Sequence, residues 1–323
     1  MLTDQFNRQF NYLRLSITDV CNFSCNYCLP DGYQCTTPRN FLTPNEIATL
    51  VSAFAQLGIK KIRLTGGEPA LRKDLTDIIA LCKQTTGIEQ VAITTNGFNL
   101  INHVEQWQQA GLDAINISAD SLDTRLFHSI TGHNKLPKIL AGVERAQILG
   151  FQKIKLNAVL LKQFNYRQLN DYLAWIQRRK VTVRFIELME VGNNKRFFKD
   201  NHVSGELIKQ QLLNSGWQQK IRHQLAGPAQ EFYHPDYQGN IGLIMPYSDD
   251  FCRTCNRLRI SALGKLHLCL FTEQGHNLRA WLTAGDIEGT KQAISQALKL
   301  KVASHYLQQH QVGATQHLAM IGG

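Results

Sequence analysis

Short β-rich runs alternate with amphipathic segments through the first two thirds of this chain, and that alternation constrains its fold more than any other feature. Residues 12–18, 60–65, 90–95, 114–118, 153–161 and 181–189 are dense in branched aliphatic side chains and read as strands. Residues 44–57, 74–85, 99–110, 121–130, 137–149 and 166–179 carry apolar positions three and four apart, as helices with one buried face do. Gly58, Gly111 and Gly150 fall just past three of those helices, where a C-terminal stop is expected. Strand followed by helix, six times over, predicts parallel βα units. Six units are fewer than the eight of a closed TIM barrel, so the expected fold is α/β, a partial (βα)6 TIM-like barrel. A doubly wound sheet is the alternative that the pattern alone leaves open.

The alternation ends near Val191. One more helix is expected at 204–213, then strand-like pieces at 216–222, 231–234, 241–245, 257–261 and 265–270, and a final helix over 286–307. The 323 residues are therefore divided into a barrel at 1–220 and a smaller α+β region at 221–323 that ends in Gly322-Gly323. With 43% hydrophobic and 19% charged residues, wholesale disorder is excluded. No apolar run approaches the ~18 residues of a membrane span, and the first residues lack the apolar core of a signal peptide, so a cytoplasmic protein with no membrane partner is expected. A net charge of +10 asks for an anionic partner: nucleic acid, a phosphorylated metabolite or a membrane surface.

Eight cysteines narrow the chemistry. In a reducing compartment, closely spaced cysteines bind metals or react more often than they form disulfides. Cys21, Cys25 and Cys28 follow the first strand directly, at spacings of four and three, and could wrap one soft metal centre from a single loop. A zinc site completed by Cys35 or a nearby histidine, and an iron-sulfur cluster, both fit this spacing. If only three thiolates bind a four-iron cluster, one iron stays open to a small molecule. Cys252, Cys255 and Cys269 form a second triplet across a hairpin that turns at Gly264. Here His267, two residues from Cys269, would complete a zinc half-site, while Arg253, Arg257 and Arg259 crowd the same place and suit a phosphate or a polar substrate. Cys35 and Cys82 belong to neither triplet, and Cys82, on a helix, is most simply a core residue.

The strand ends supply context. The second strand ends in Gly66-Gly67-Glu68-Pro69, the third in Thr94-Thr95-Asn96-Gly97 and the fourth in Ser118-Ala119-Asp120. Working residues of parallel barrels sit at these C-terminal ends. The CxxxCxxC loop of Cys21–Cys28 and the GGEP of Gly66–Pro69 together resemble the radical S-adenosylmethionine (SAM) enzymes. That resemblance implies a [4Fe-4S] cluster on three cysteines, with SAM on the fourth iron and reductive cleavage to a 5′-deoxyadenosyl radical. The protein's part would be to orient the radical and exclude water.

With LRLSITDVCNFSCNYC, RLTGGEP, TTNG, NISADSLD, KLNAVL, RFIELM, FCRTCNRLRISALGKLHLCLF and the terminal Gly-Gly, the chain resembles, over nearly its whole length, the branch that cyclises GTP at the start of molybdenum cofactor biosynthesis. The resemblance implies two [4Fe-4S] clusters, one on each cysteine triplet, the second with its open iron toward guanine. It puts SAM contacts on Tyr27, Gly67, Ser118 and Met189, and GTP contacts on Arg14, Arg63, Thr94, Lys155, Arg257, Leu258 and Arg259. It implies hydrogen abstraction from ribose C3′, attack of the C3′ radical on C8, and (8S)-3′,8-cyclo-7,8-dihydro-GTP as product. An electron donor protein and the next pathway enzyme, cyclic pyranopterin monophosphate synthase, are its implied partners; a homodimer is compatible and nucleic acid is not expected.

Arg14, Arg63 and Lys155 alternate with apolar neighbours on three strands, as side chains facing a barrel interior should. Buried cations are costly without an anion, and a triphosphate would supply one. No GxxxxGK[ST] occurs, which excludes a P-loop GTPase. Two rival readings are another two-cluster radical SAM enzyme acting on peptide or RNA, and a zinc-stabilised nucleic-acid-binding protein without catalysis. A C-terminal diglycine is usually a mobile end, but the resemblance implies that the tail reaches the active site, where Gly-Gly would let backbone approach a crowded pocket.

Overall fold

The computed structural model describes residues 1–35, 40–192, 194–221, 225–272, 274–313, 315 and 317–322. A short antiparallel pair, β1 (Leu2–Thr3) and β2 (Gln9–Phe10), precedes the main sheet. Six strands then lie side by side, each parallel to the next: β3 (Tyr12–Thr18), β4 (Lys61–Gly66), β5 (Gln90–Thr95), β6 (Ala114–Ser118), β7 (Ile154–Leu160) and β8 (Thr182–Glu187). Between them run α1 (Pro44–Gln56), α2 (Leu75–Gln84), α3 (Leu100–Gln109), α4 (Thr124–Thr131), α5 (Leu136–Ile148) and α6 (Leu169–Ile176). These are the strands and helices expected from the alternation, shifted by a few residues at their ends.

Local chemistry sets those ends. Thr43 and Glu46 form a reciprocal capping box at the start of α1. Asp123 accepts from the Arg125 and Leu126 amides, so α4 begins at Thr124 rather than at residue 121. On β3, Leu13, Leu15 and Ile17 join the core shared with the helices, whereas Tyr12 and Arg14 face a cavity inside the sheet.

Beyond β8 come α7 (Lys195–Asn201), α8 (Glu206–Asn214), β9 (Gln218–Gln219), β10 (Gln230–Tyr233), β11 (Asn240–Ile244), β12 (Arg257–Ile260), β13 (Lys265–His267), β14 (His276–Asn277), α9 (Arg279–Thr283) and α10 (Ile287–Leu298). β11 adds to β8 in parallel and β12 adds to β3 in parallel, so both edges of the six-stranded unit are extended. Among the described residues the sheet holds twelve strands in the order β14-β13-β12-β3-β4-β5-β6-β7-β8-β11-β10-β9. Its two end strands differ, so it is open. Yet Arg14 of β3 and Arg184 of β8 line one cavity, so the sheet curls into a partial barrel and is not a doubly wound layer.

Three expected elements are markedly shorter than the pattern suggested. The helix expected over 286–307 stops at Leu298; the Lys299, Leu300 and Lys301 amides close a tighter turn three residues back, and the Val302 and Ala303 carbonyls beyond it are each taken by the Arg8 guanidinium at 2.7 Å. The strand expected over 265–270 stops at His267, after which the Leu268 carbonyl accepts from the Lys301 ammonium. Of the piece expected at 216–222 only Gln218–Gln219 is a strand; Arg222 lies outside the described residues. The hairpin β1–β2 and the short α7 and α9 had not been anticipated. α9 is held to α1 by Arg279, whose Nε lies 2.6 Å from Glu46.

Gly66 and Gly67 sit against the turn after β3. A Cβ on Gly67 would overlap the backbone carbonyls of Val20 and Asp19, which have no room to yield. Gly67→Ala is therefore expected to cost about 2–3 kcal/mol, as overpacked sites do, read as a lower midpoint in chemical denaturation at an unchanged slope.

Candidate active site

The N-terminal cysteine loop is fixed at both ends before any ligand is considered. The Cys28 and Leu29 amides donate to the Cys25 carbonyl at 2.9 and 3.0 Å, making one tight turn. The Ser24 and Asn26 amides donate to the Thr131 and Ile130 carbonyls at the end of α4. Cys21, Cys25 and Cys28 are half-buried and line a cavity with Gly66, Gly67, Ser118 and Met189. Burial, with help from the neighbouring thiolates, pushes the Cys28 thiol up to about 12 and the Cys25 thiol well above its ordinary value. Three buried thiols lining one cavity would ionise on binding an iron-sulfur core, whose cationic irons supply the charge that burial withholds.

Polar groups brace the rim. Tyr27 donates to Asp120 at 2.9 Å, and Asp120 also accepts from the Val159 amide at 2.8 Å. Burial raises the Asp120 carboxyl to about 6. Glu68 of GGEP accepts from the Thr95 hydroxyl at 2.7 Å and the Ala70 amide at 2.9 Å, and burial carries it to about 7. Glu68 thus joins the end of β4 to the end of β5.

A second cavity adjoins the first, and Thr94, Asn157, Ile186 and Met189 line both. Cys252, Cys255 and Cys269 border it, facing Tyr12, Arg14, Arg63, Arg184, Arg257 and Arg259. The sheet register explains the gathering of cations: Arg259 of β12 is level with Arg14 of β3, which is level with Arg63 of β4. Arg257 Nη1, Arg63 Nε and Thr94 Oγ1 are buried with no hydrogen-bond partner in the protein. Such orphaned donors are rare in folded proteins and point to a polar ligand. Burial raises the Cys255 thiol, but the charges of Arg257, then Lys301 and Arg8, outweigh it and leave about 7.

The residues assigned to SAM by resemblance, Tyr27, Gly67, Ser118 and Met189, all line the first cavity. Of those assigned to GTP, Arg14, Arg63, Thr94, Arg257 and Arg259 line the second. Leu258 is fully buried in the core on the opposite strand face and does not border the cavity. Lys155 does not border that cavity; its ammonium pairs with Glu231 at 2.5 Å, so the chain itself supplies the anion expected there. Burial lowers Lys155 to about 8 despite that pairing.

His267 stands level with Arg259 across β12–β13 and lies apart from the cavity of Cys252, Cys255 and Cys269. Burial and then the Arg259 charge lower it to about 4. Among the described residues no three His, Cys, Asp or Glu close around a single metal ion. Cys35 is exposed and Cys82 is buried on α2.

Arg184 and Lys61 had not been singled out from the sequence, although each obeys the two-residue alternation that marked Arg63. Arg184 donates to Asn157 at 3.0 Å and to Asn116. Burial, then the charges of Arg63, Lys155 and Arg184, lower Lys61 to about 6. The C-terminal tail returns to the site: Leu318 and Ala319 line the first cavity, and Arg259 donates to the Gly322 carbonyl at 3.1 Å. Gly322 has φ +65° and packs on Thr65, while Gly323 lies outside the described residues.

Comparison with known proteins agrees with this geometry. Residues 15–176 match the radical SAM superfamily and residues 181–307 match the family described as Molybdenum Cofactor Synthesis C. A GTP 3′,8-cyclase of Psychromonas ingrahamii is 56% identical over 323 residues, which cover all of this chain and 95% of that protein. Among solved structures, Streptococcus suis SuiB bound to S-adenosylmethionine matches with a TM-score of 0.64 at 15% identity, over 89% of this chain and 68% of SuiB. SuiB bound to its precursor peptide SuiA matches with a TM-score of 0.65 at 14% identity, over 96% and 75% of the two chains. At those identities SuiB speaks for the fold alone, whereas the full-length match speaks for kinship, and the chain belongs to the GTP 3′,8-cyclase family of radical SAM enzymes.

Proposed function

We propose that this chain converts GTP to (8S)-3′,8-cyclo-7,8-dihydro-GTP, the first step of molybdenum cofactor biosynthesis. The observation that carries the reading is the pair of adjoining cavities, a thiol triplet bordering each, with orphaned arginine and threonine donors in the second. Cys21, Cys25 and Cys28 hold the [4Fe-4S] cluster that the family implies, and Cys252, Cys255 and Cys269 hold a second. When bound, the first cluster and SAM supply a 5′-deoxyadenosyl radical able to take a hydrogen atom from ribose C3′.

The side chains do the rest. Tyr27, Gly67, Ser118 and Met189 contact SAM, with the Asp120 bond to Tyr27 fixing the loop. Arg14, Arg63, Thr94, Arg257 and Arg259 contact GTP, Arg184 on the same cavity wall adds positive charge for its phosphates, and Lys61 lies behind them, next to Tyr12. Lys155 reaches GTP only by sharing or giving up Glu231. Residues 1–220 then carry SAM and residues 221–323 the second cluster. The ribose and the base must be held at near-contact distance, so placement outweighs acid-base chemistry. An electron donor protein and cyclic pyranopterin monophosphate synthase act before and after this step.

Reconstituted protein with reductant, SAM and GTP, incubated without oxygen, should form the cyclised nucleotide; SAM cleavage indifferent to GTP and without cyclic product would count against the substrate. Metal analysis separates the zinc-protein alternative, because stoichiometric zinc without iron or sulfide would remove the radical chemistry altogether.

The depressed Lys61 gives a pH test. Burial and the neighbouring cations favour its neutral amine in the free protein, and a bound triphosphate would raise its proton affinity. GTP binding should therefore take up a proton at pH values above about 6. Calorimetry in buffers of different ionisation enthalpy should show that uptake, and Lys61→Met should lose it.

A further inference from the structure

Lys301 is 3% exposed, yet among the described residues its ammonium has a single hydrogen-bond acceptor, the Leu268 carbonyl. The Phe10 ring centroid lies 5.5 Å away. Among the described residues no carboxylate pairs with it. Arg8, on the same cavity wall, shows what a satisfied cation looks like there. It binds Asp4 at 2.7 Å and the carbonyls of Cys252, Val302 and Ala303. A buried ammonium without an anion is costly, and such sites persist where a charge is missing from the account.

The missing charge is close by. Lys301 lines the second cavity beside Cys255 and Cys269, and its charge acts on both sulfurs. Its backbone is pinned as well: Gln5 donates to the Lys301 carbonyl at 3.2 Å, and Arg8 holds the next two carbonyls. We infer that Lys301 is the fixed counter-ion of the C-terminal cysteine triplet, offsetting the negative charge of the cluster bound there and making that cluster easier to reduce. The inference rests on the second-cluster reading proposed above. Reduction adds negative charge, so a fixed cation in a poorly screened site stabilises the reduced cluster more than the oxidised one. Lys301 is a positioning and tuning residue, with no part in bond making.

The test uses the full chain with Cys21, Cys25 and Cys28 all replaced by alanine, so that only the C-terminal triplet can hold iron. After anaerobic reconstitution, iron and sulfide are counted and the midpoint potential is read by EPR-monitored titration. Lys301→Met is expected to lower the reduced-to-oxidised ratio at a fixed potential about tenfold, a midpoint about 59 mV more negative for one electron. Lys301→Arg should stay near the parent. Loss of the cluster from folded Lys301→Met, restored in Lys301→Arg, supports the same role. An unchanged midpoint at equal iron content overturns the role of Lys301 and leaves the cluster in place. A parent that binds no iron overturns the second-cluster reading, and the counter-ion role with it.

Discussion

Replacing Cys21 with serine is expected to abolish SAM cleavage and to lower the iron content by one cluster. Cys21 is one of three sulfurs on a loop whose shape is set by backbone bonds among Cys25, Cys28 and Leu29 and to the end of α4. Serine preserves that shape, so the loss is chemical. A serine hydroxyl is a poor ligand for iron that favours soft thiolates, and burial opposes its ionisation further. The second cavity and its arginines are untouched, so GTP binding should persist in the variant. SAM cleavage retained at the parent rate would refute the assignment of this loop to the cluster.

Arg257→Ala is expected to lower kcat/KM for GTP about a hundredfold while leaving slow, GTP-independent SAM cleavage as it was. The guanidinium is almost fully buried, lies 5.6 Å from the Phe251 ring centroid and has Nη1 without a partner. A charge-assisted bond from such a donor to a ligand is worth up to about 3 kcal/mol, which is roughly two powers of ten in rate. Arg257 is also the foremost charge holding the Cys255 thiol down. Arg257→Lys keeps that charge and loses the planar fork, so it should recover part of the loss. Equal damage to GTP-dependent and GTP-independent cleavage would mean that Arg257 acts on the whole fold.

Much of this was legible in the sequence because it depends on local period and spacing. Strand alternation pointed Arg14 and Arg63 inward, and the positions of the cysteines along the chain placed one triplet directly after β3. Relations between distant segments were harder to read. Lys155 was expected to await a ligand anion, but Glu231 reaches it from a strand brought alongside β8 by β11. The final helix was overextended because its apolar period continues to residue 307, and only the folded chain shows Arg8 claiming the Val302 and Ala303 carbonyls. Leu258 was assigned to GTP with Arg257 and Arg259 by resemblance, and the pleat sends its side chain to the other face. His267 was likewise coupled to Cys269, but β13 ends between them.

The outward neighbour of β3 is β12, and Asn256, just before β12, bonds to Asn11, 245 residues earlier. At ribosomal speeds of about 5–20 residues per second, the first barrel strand waits on the order of tens of seconds for the strand that covers its edge. Throughout that interval the nascent chain offers bare backbone along a hydrophobic sheet, the kind of edge that recruits other chains. Synthesis halted near residue 220 should therefore yield insoluble product, because the strand that would cover that edge is never made.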